Sequence, residues 1–206
     1  MIERLIRVAE GEIGVCEPEG DDKYIKYYNK TGGMSFGMNV AWCAIFVTWC
    51  KAAAGIDKSV IPHFASCDIG KAWFEKRGLF QKSRAYGGEY EPKRGDIIFF
   101  SSGYTLDDST HVGIVTSRSG NAVSTIEGNT SNKVARRSYS MASKYIIGYG
   151  TPAYIEAHDK YVVQKGDSLW KIASEVLGKG SRYTEIMALN NLERTVIYPG
   201  EELYLP

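Results

Sequence analysis

Residues Asn39–Cys50, "NVAWCAIFVTWC", are almost unbrokenly apolar and follow the glycine-rich stretch "KTGGMSFGMN". With Gly55 as a stop signal, the run predicts a helix from Trp42 to about Ala54, apolar on nearly every side. Such a helix has to be enclosed, so the chain must supply packing elements all round it. A length of 206 residues with 44% apolar content suffices for one medium domain, or for one medium and one small domain.

Those elements can be read on both sides of the run. Before it, "MIERLIRVAEGEIG" predicts an amphipathic helix over Ile2–Ile13, and Asp21 or Asp22 can cap a short helix through "KYIKYYN". After it, "ASCDIGKAWFEKRG" predicts another helix, starting near Ser66 or Asp68 and ending at Gly78. The pattern then changes to β-branched and aromatic runs: "GDIIFFS", "HVGIVTS", "AVSTIEGN" and "YIIGYG". Helices followed by a strand cluster give an α+β domain over residues 1–152. Residues 153–159 read as a linker. Residues 160–206 read strand, helix, helix, strand, a βααβ unit in which Asp167 or Ser168 caps the first helix.

Charge excludes some partners. The formal net charge is +1, and neither half carries a basic run, so no nucleic-acid or membrane-surface binding is expected. No apolar stretch reaches the ~18 residues of a membrane span. The N-terminus reads as a folded helix and not as a secretory signal.

Four cysteines, Cys16, Cys43, Cys50 and Cys67, are too few and too uneven for a disulfide scaffold, and no CxxC spacing suggests zinc. They are expected to be reduced. Seven residues apart on one helix, Cys43 and Cys50 lie about 20° from a common face but roughly 10 Å apart along the axis, too far for a disulfide. Cys43 falls in the first turn, where unpaired N–H groups and the helix dipole favour a thiolate. Cys50 lies two turns deeper, where burial keeps a thiol inert. Cys43 is therefore the reactive candidate and Cys50 a core residue.

A nucleophilic thiol needs a base. Of the three histidines, His158 lies in the linker and His63 in a loop ahead of a helix. His111 heads a strand, from which an imidazole can project into a cleft. A hairpin turning at "RSGN" puts Glu127 opposite His111, within one residue if a bulge sits at Gly120. Asn129 shares the parity of Glu127. A carboxylate beside the imidazole would fix its tautomer and favour the imidazolium.

Taken together, "AWCAIFVTWC", "PKRGDIIFF", "HVGIVTS" and "TIEGN" strongly resemble the CHAP domain, the cysteine- and histidine-dependent amidohydrolase/peptidase. The resemblance implies a papain-like α+β fold with Cys43 as nucleophile, His111 as general base and acid, Glu127 orienting His111, and Asn129 assisting. The Asn39 side chain would help stabilise an oxyanion. Some CHAP domains of phage lysins carry an acidic calcium loop ahead of the cysteine. "KTGGMSFGMNVAWC" has no Asp or Glu, so no metal and no other cofactor is expected.

The segment "YVVQKGDSLWKIASEVLG" with "MALNNL" and "YPGEELYLP" resembles LysM, a βααβ module that binds N-acetylglucosamine-containing glycans. The resemblance places the sugar between Gly166, Asp167, Ser168 and Leu169 on one lip, and Asn191, Leu192, Ile197 and Pro199 on the other. Asp167 and Pro199 also have structural explanations, as a helix cap and in a turn with Gly200.

The combined expectation is a monomeric, bacteriolytic peptidoglycan hydrolase resembling phage endolysins. It would be made in a host cytoplasm, act at the bacterial cell wall, and cleave either the muramoyl-alanine amide or a bond of the peptide. Three alternatives stand beside it. One is an NlpC-type endopeptidase, which generally uses a second histidine where this chain has Glu127. Another is a non-catalytic wall-anchored protein of a phage tail or envelope. The last is a wall-degrading antibacterial toxin.

Overall fold

A computed structural model of the chain describes residues 1–16, 23–32, 35–37, 40–154, 160–190 and 192–205. The chain divides into two compact units, Met1–Ile155 and Glu156–Pro206.

In the first unit four helices precede the sheet: α1 (Ile2–Gly11), α2 (Lys23–Thr31), α3 (Cys43–Ala53) and α4 (Cys67–Glu75). The apolar run becomes α3. Cys43, Ala44, Ile45, Phe46, Val47, Thr48, Cys50 and Lys51 are all buried along it, because α1, α2 and α4 together with the sheet enclose it. Trp42, fully buried, stacks on Tyr24 of α2 with centroids 5.2 Å apart. The loop ahead of α3 is tied back to α2, since Asn29 donates to the Phe36 carbonyl at 2.9 Å and accepts the Phe36 N–H at 2.8 Å. The expected cap at Asp21 or Asp22 lies outside the described residues.

Six antiparallel strands follow: β1 (Phe80–Lys82), β2 (Ile97–Phe100), β3 (His111–Ser119), β4 (Ala122–Glu127), β5 (Ala135–Ser140) and β6 (Ile146–Gly150). Their spatial order is β1-β6-β2-β3-β4-β5. Along β2, Ile97 and Phe99 face the helical core, while Ile98 and Phe100 join a second cluster with Val115, Val123, Met141 and Tyr149. That two-sided burial explains why "IIFF" is continuously apolar and not alternating.

The hairpin register differs from the expected one. Near the turn Ser119 pairs with Ala122, and the register shifts between Val115 and Ser117, so Ile114 pairs with Ile126. The extra residue is thus Thr116, not Gly120. Its hydroxyl donates to the Ser124 carbonyl at 3.2 Å, and its own carbonyl accepts from Arg94 at 2.7 Å. These bonds satisfy the groups that a bulge removes from the ladder.

The second unit pairs β7 (Lys160–Val162) with β8 (Glu202–Tyr204) around α5 (Leu169–Leu177) and α6 (Tyr183–Leu189). Its core is small: Val163, Leu169, Ile172, Ala173, Ile186, Leu203 and Leu205.

Candidate active site

Three elements converge on one cleft of about 420 Å³. Cys43 enters it as the first residue of α3, His111 as the first residue of β3, and Glu127 as the last residue of β4. Closing α3 onto the end of β4 requires Gly128, where a Cβ would meet Phe46 Cβ at 2.5 Å. The remaining walls include Ala41, Ser102, Thr110, Asn129, Thr130, Ser131, Tyr139 and Tyr145.

Glu127 is 1% exposed and its Oε2 lies 2.9 Å from His111 Nε2. Two hydroxyls also point at this carboxylate: Thr125 donates to Oε1, and Tyr139 donates to Oε2 at 3.1 Å. With Nε2 engaged, Nδ1 of His111 is the ring nitrogen left for Cys43, which lines the same cleft and shifts the titration of the imidazole. Burial alone would lower the His111 pKa. The hydrogen bonds to Cys43 and Glu127, with their negative charges, more than reverse this and raise it to about 9.

The Cys43 thiol is held well below its ordinary range, first by its hydrogen bond with Cys67, against the opposing effect of burial, and then by His111 and the Val112 N–H. Cys43 is 3% exposed. Cys50 is fully buried and pushed well above the ordinary thiol value by desolvation. The two residues therefore differ as their depths along α3 suggest. All four cysteines are free thiols.

Asn129 lines the same cleft but lies beyond β4, at a left-handed φ of 56°, so strand parity does not govern its direction. Asn39 lies outside the described residues, as does His158. His63 stacks on Tyr28 at 4.7 Å and lines a separate groove with Trp73 and Arg77.

Sequence reasoning missed Cys67, Thr125 and Tyr139. Thr125 left a trace, lying two residues from Glu127 on one strand and hence on the same face, and Cys67 left one in its place at the start of a predicted helix.

In the second unit the residues of the expected sugar groove have varied settings. Ser168 is the α5 N-cap, accepting the Lys171 N–H at 3.2 Å. Asp167 instead closes the preceding turn, accepting from the Gln164 N–H at 2.7 Å and the Tyr161 hydroxyl at 2.8 Å. Leu169 is 2% exposed and belongs to the core, against which Leu192 and Ile197 pack. Gly166 and Pro199 are exposed, and Asn191 lies outside the described residues.

No curated protein matches the chain. Solved structures resemble it at low identity, two of Ly7917 among them. The crystal structure of Ly7917 is 16% identical with a TM-score of 0.43, and that of Ly7917 with the hydrolyzing product of MDP is 17% identical with the same score. Each match covers 79% of this chain and 66% of the other. Two domain families match directly, and on them the chain carries a CHAP domain at residues 35–129, followed by a C-terminal LysM domain at residues 161–206.

Proposed function

We propose that the protein is a cysteine-dependent peptidoglycan hydrolase whose LysM domain holds it on the glycan. The observation that carries this reading is the chain of contacts Cys43–His111–Glu127 in one cleft.

Cys43, as thiolate, attacks an amide carbonyl in the peptide part of the wall. The tetrahedral oxyanion forms beside the Cys43 backbone N–H, one of the first-turn N–H groups that no carbonyl of α3 takes up. Asn39 is the second donor in this reading. As the intermediate collapses, the C–N bond breaks and His111 delivers its proton to the leaving amine. Water then attacks the thioester and gives a proton to His111, and Cys43 leaves as thiolate. Throughout, Glu127 keeps Nε2 occupied, so the cysteine always faces the same ring nitrogen; Asn129 completes the wall of the cleft around them. Either a muramoyl-alanine amidase or a peptide endopeptidase follows this path.

LysM contributes by concentration. A modest glycan affinity, repeated along a polymer, keeps the catalytic domain near fresh bonds. Gly166, Ser168 and Pro199 are the exposed groove residues in this reading.

Cys43→Ala tests the proposal on purified cell walls. Lysis is lost while sedimentation with the walls is retained. Undiminished lysis by the variant contradicts the proposal.

A further inference from the structure

Three cysteines of the first unit are buried, and the proposed mechanism uses one. Cys50 sits two turns along α3 in an apolar setting. Cys67 does not: its Sγ lies 3.5 Å from Cys43 Sγ. It is the first residue of α4, as Cys43 is the first residue of α3, so two helix N-termini bring their thiols together.

Cys67 is anchored from both sides. Thr48, on α3, donates to the Phe64 carbonyl at 2.7 Å and accepts the Phe64 N–H at 3.0 Å. This pins the chain three residues ahead of Cys67 to the helix that carries the nucleophile. Asp68 accepts the Ser109 N–H at 2.5 Å, tying the first turn of α4 to the segment just ahead of His111. At Gly70 a Cβ would meet the Phe64 ring at 2.5 Å, so α4 lies as close to that segment as glycine allows.

We infer that Cys67 is a positioning residue for the nucleophile, its S–H donating a hydrogen bond to the Cys43 thiolate and holding that sulfur in place for attack. The inference rests on the reading of Cys43 as nucleophile. The direction of the bond follows from the surroundings. Cys43 has the imidazole and the Val112 N–H as partners for a negative charge, whereas Cys67 has burial, Asp68 and Cys43 itself opposing one. Cys67 therefore keeps its proton, and an S–H, weak as a donor to neutral groups, is strengthened when it faces an anion.

The test is the pH dependence of iodoacetamide alkylation of the full chain, with the modified cysteine identified by peptide mapping. Wild type is compared with Cys67→Ala, Cys67→Val and Cys67→Ser, and the same variants are assayed for wall hydrolysis against pH. Loss of the donor in the Ala and Val variants raises the Cys43 midpoint by about one pH unit, the order of a single hydrogen bond to a charged group. The acid limb of hydrolysis moves with it, and the serine hydroxyl restores the low midpoint. If Cys67→Ala does not fold, Cys67→Val reads the same quantity with the space filled. An unchanged midpoint, or a rise that Cys67→Ser does not reverse, overturns the inference. With exposed Cys16 followed separately in the peptide map, wild-type alkylation at low pH that falls on Cys67 or Cys50 and not on Cys43 overturns the assignment of the nucleophile instead.

Discussion

Glu127 reaches His111 diagonally, over Gly113, and not from the position directly opposite. The ladder pairs Ile114 with Ile126, so Glu127 stands level with Gly113, and a Cβ on Gly113 would meet Glu127 Cγ at 2.6 Å. The missing side chain opens the path along which the carboxylate reaches Nε2 at 2.9 Å.

Replacing Gly113 with alanine therefore displaces Glu127. Gly113→Ala is expected to cost about 1–3 kcal/mol by overpacking and to lower wall hydrolysis more than its melting shift explains. Thermal unfolding beside turnover checks this.

Glu127→Gln keeps the shape but removes the charge that favours the imidazolium. Wall hydrolysis is expected to fall by roughly 10²- to 10⁴-fold, the scale of general acid–base catalysis and of the carboxylate that orients a catalytic histidine. Its alkaline limb should move down toward the ordinary histidine range. A pH–rate profile of the variant reads both effects.

The pH dependence of the wild type follows from His111. Its folded pKa of about 9 lies above the ordinary 6.5, so the protonated ring is what folding favours. The stability this contributes is complete below about pH 6.5 and is lost as pH rises through about 9. Hydrolysis should have an alkaline limb near pH 9. Cys43, held well below its ordinary range, contributes with the opposite sign over the same window, so the melting temperature should stay nearly level between those pH values in wild type and rise with pH in His111→Asn.

Away from the cleft, Cys50→Ala should cost about 1–2 kcal/mol as a small buried truncation and leave turnover unchanged. In the LysM domain, Ser168→Ala removes the α5 cap and should cost about 1 kcal/mol. Denaturant unfolding of each variant checks the two values.

Much of this arrangement is legible in the sequence. The apolar run could only be an enclosed helix, which set Cys43 in its first turn and Cys50 in its depths. His111 heads its strand because "HVGIVTS" is β-branched up to a turn. Less legible were β1 and β5, whose sequences "FQK" and "ARRSYS" lack an apolar run because both are edge strands. Tyr139 sits on β5 and was missed with it. The register slipped for a similar reason: Gly120 advertised a bulge, yet the extra residue is Thr116, chosen by the bonds its hydroxyl and carbonyl make across the fold. Cys67 shares with Cys43 a place in the first turn of a predicted helix, but nothing local brings the two together. Its place depends on Thr48 meeting Phe64 and on Asp68 meeting Ser109, contacts spanning 16 and 41 residues.

The central claim is that Cys43 cleaves amide bonds of peptidoglycan. Purified walls digested by wild type and by Cys43→Ala, with released amino groups and new reducing sugar ends measured in parallel, test it most directly. The account predicts amino groups rising with solubilisation in wild type, no new reducing ends, and neither product with Cys43→Ala. New reducing ends, or amino groups released at the wild-type rate by Cys43→Ala, would contradict it.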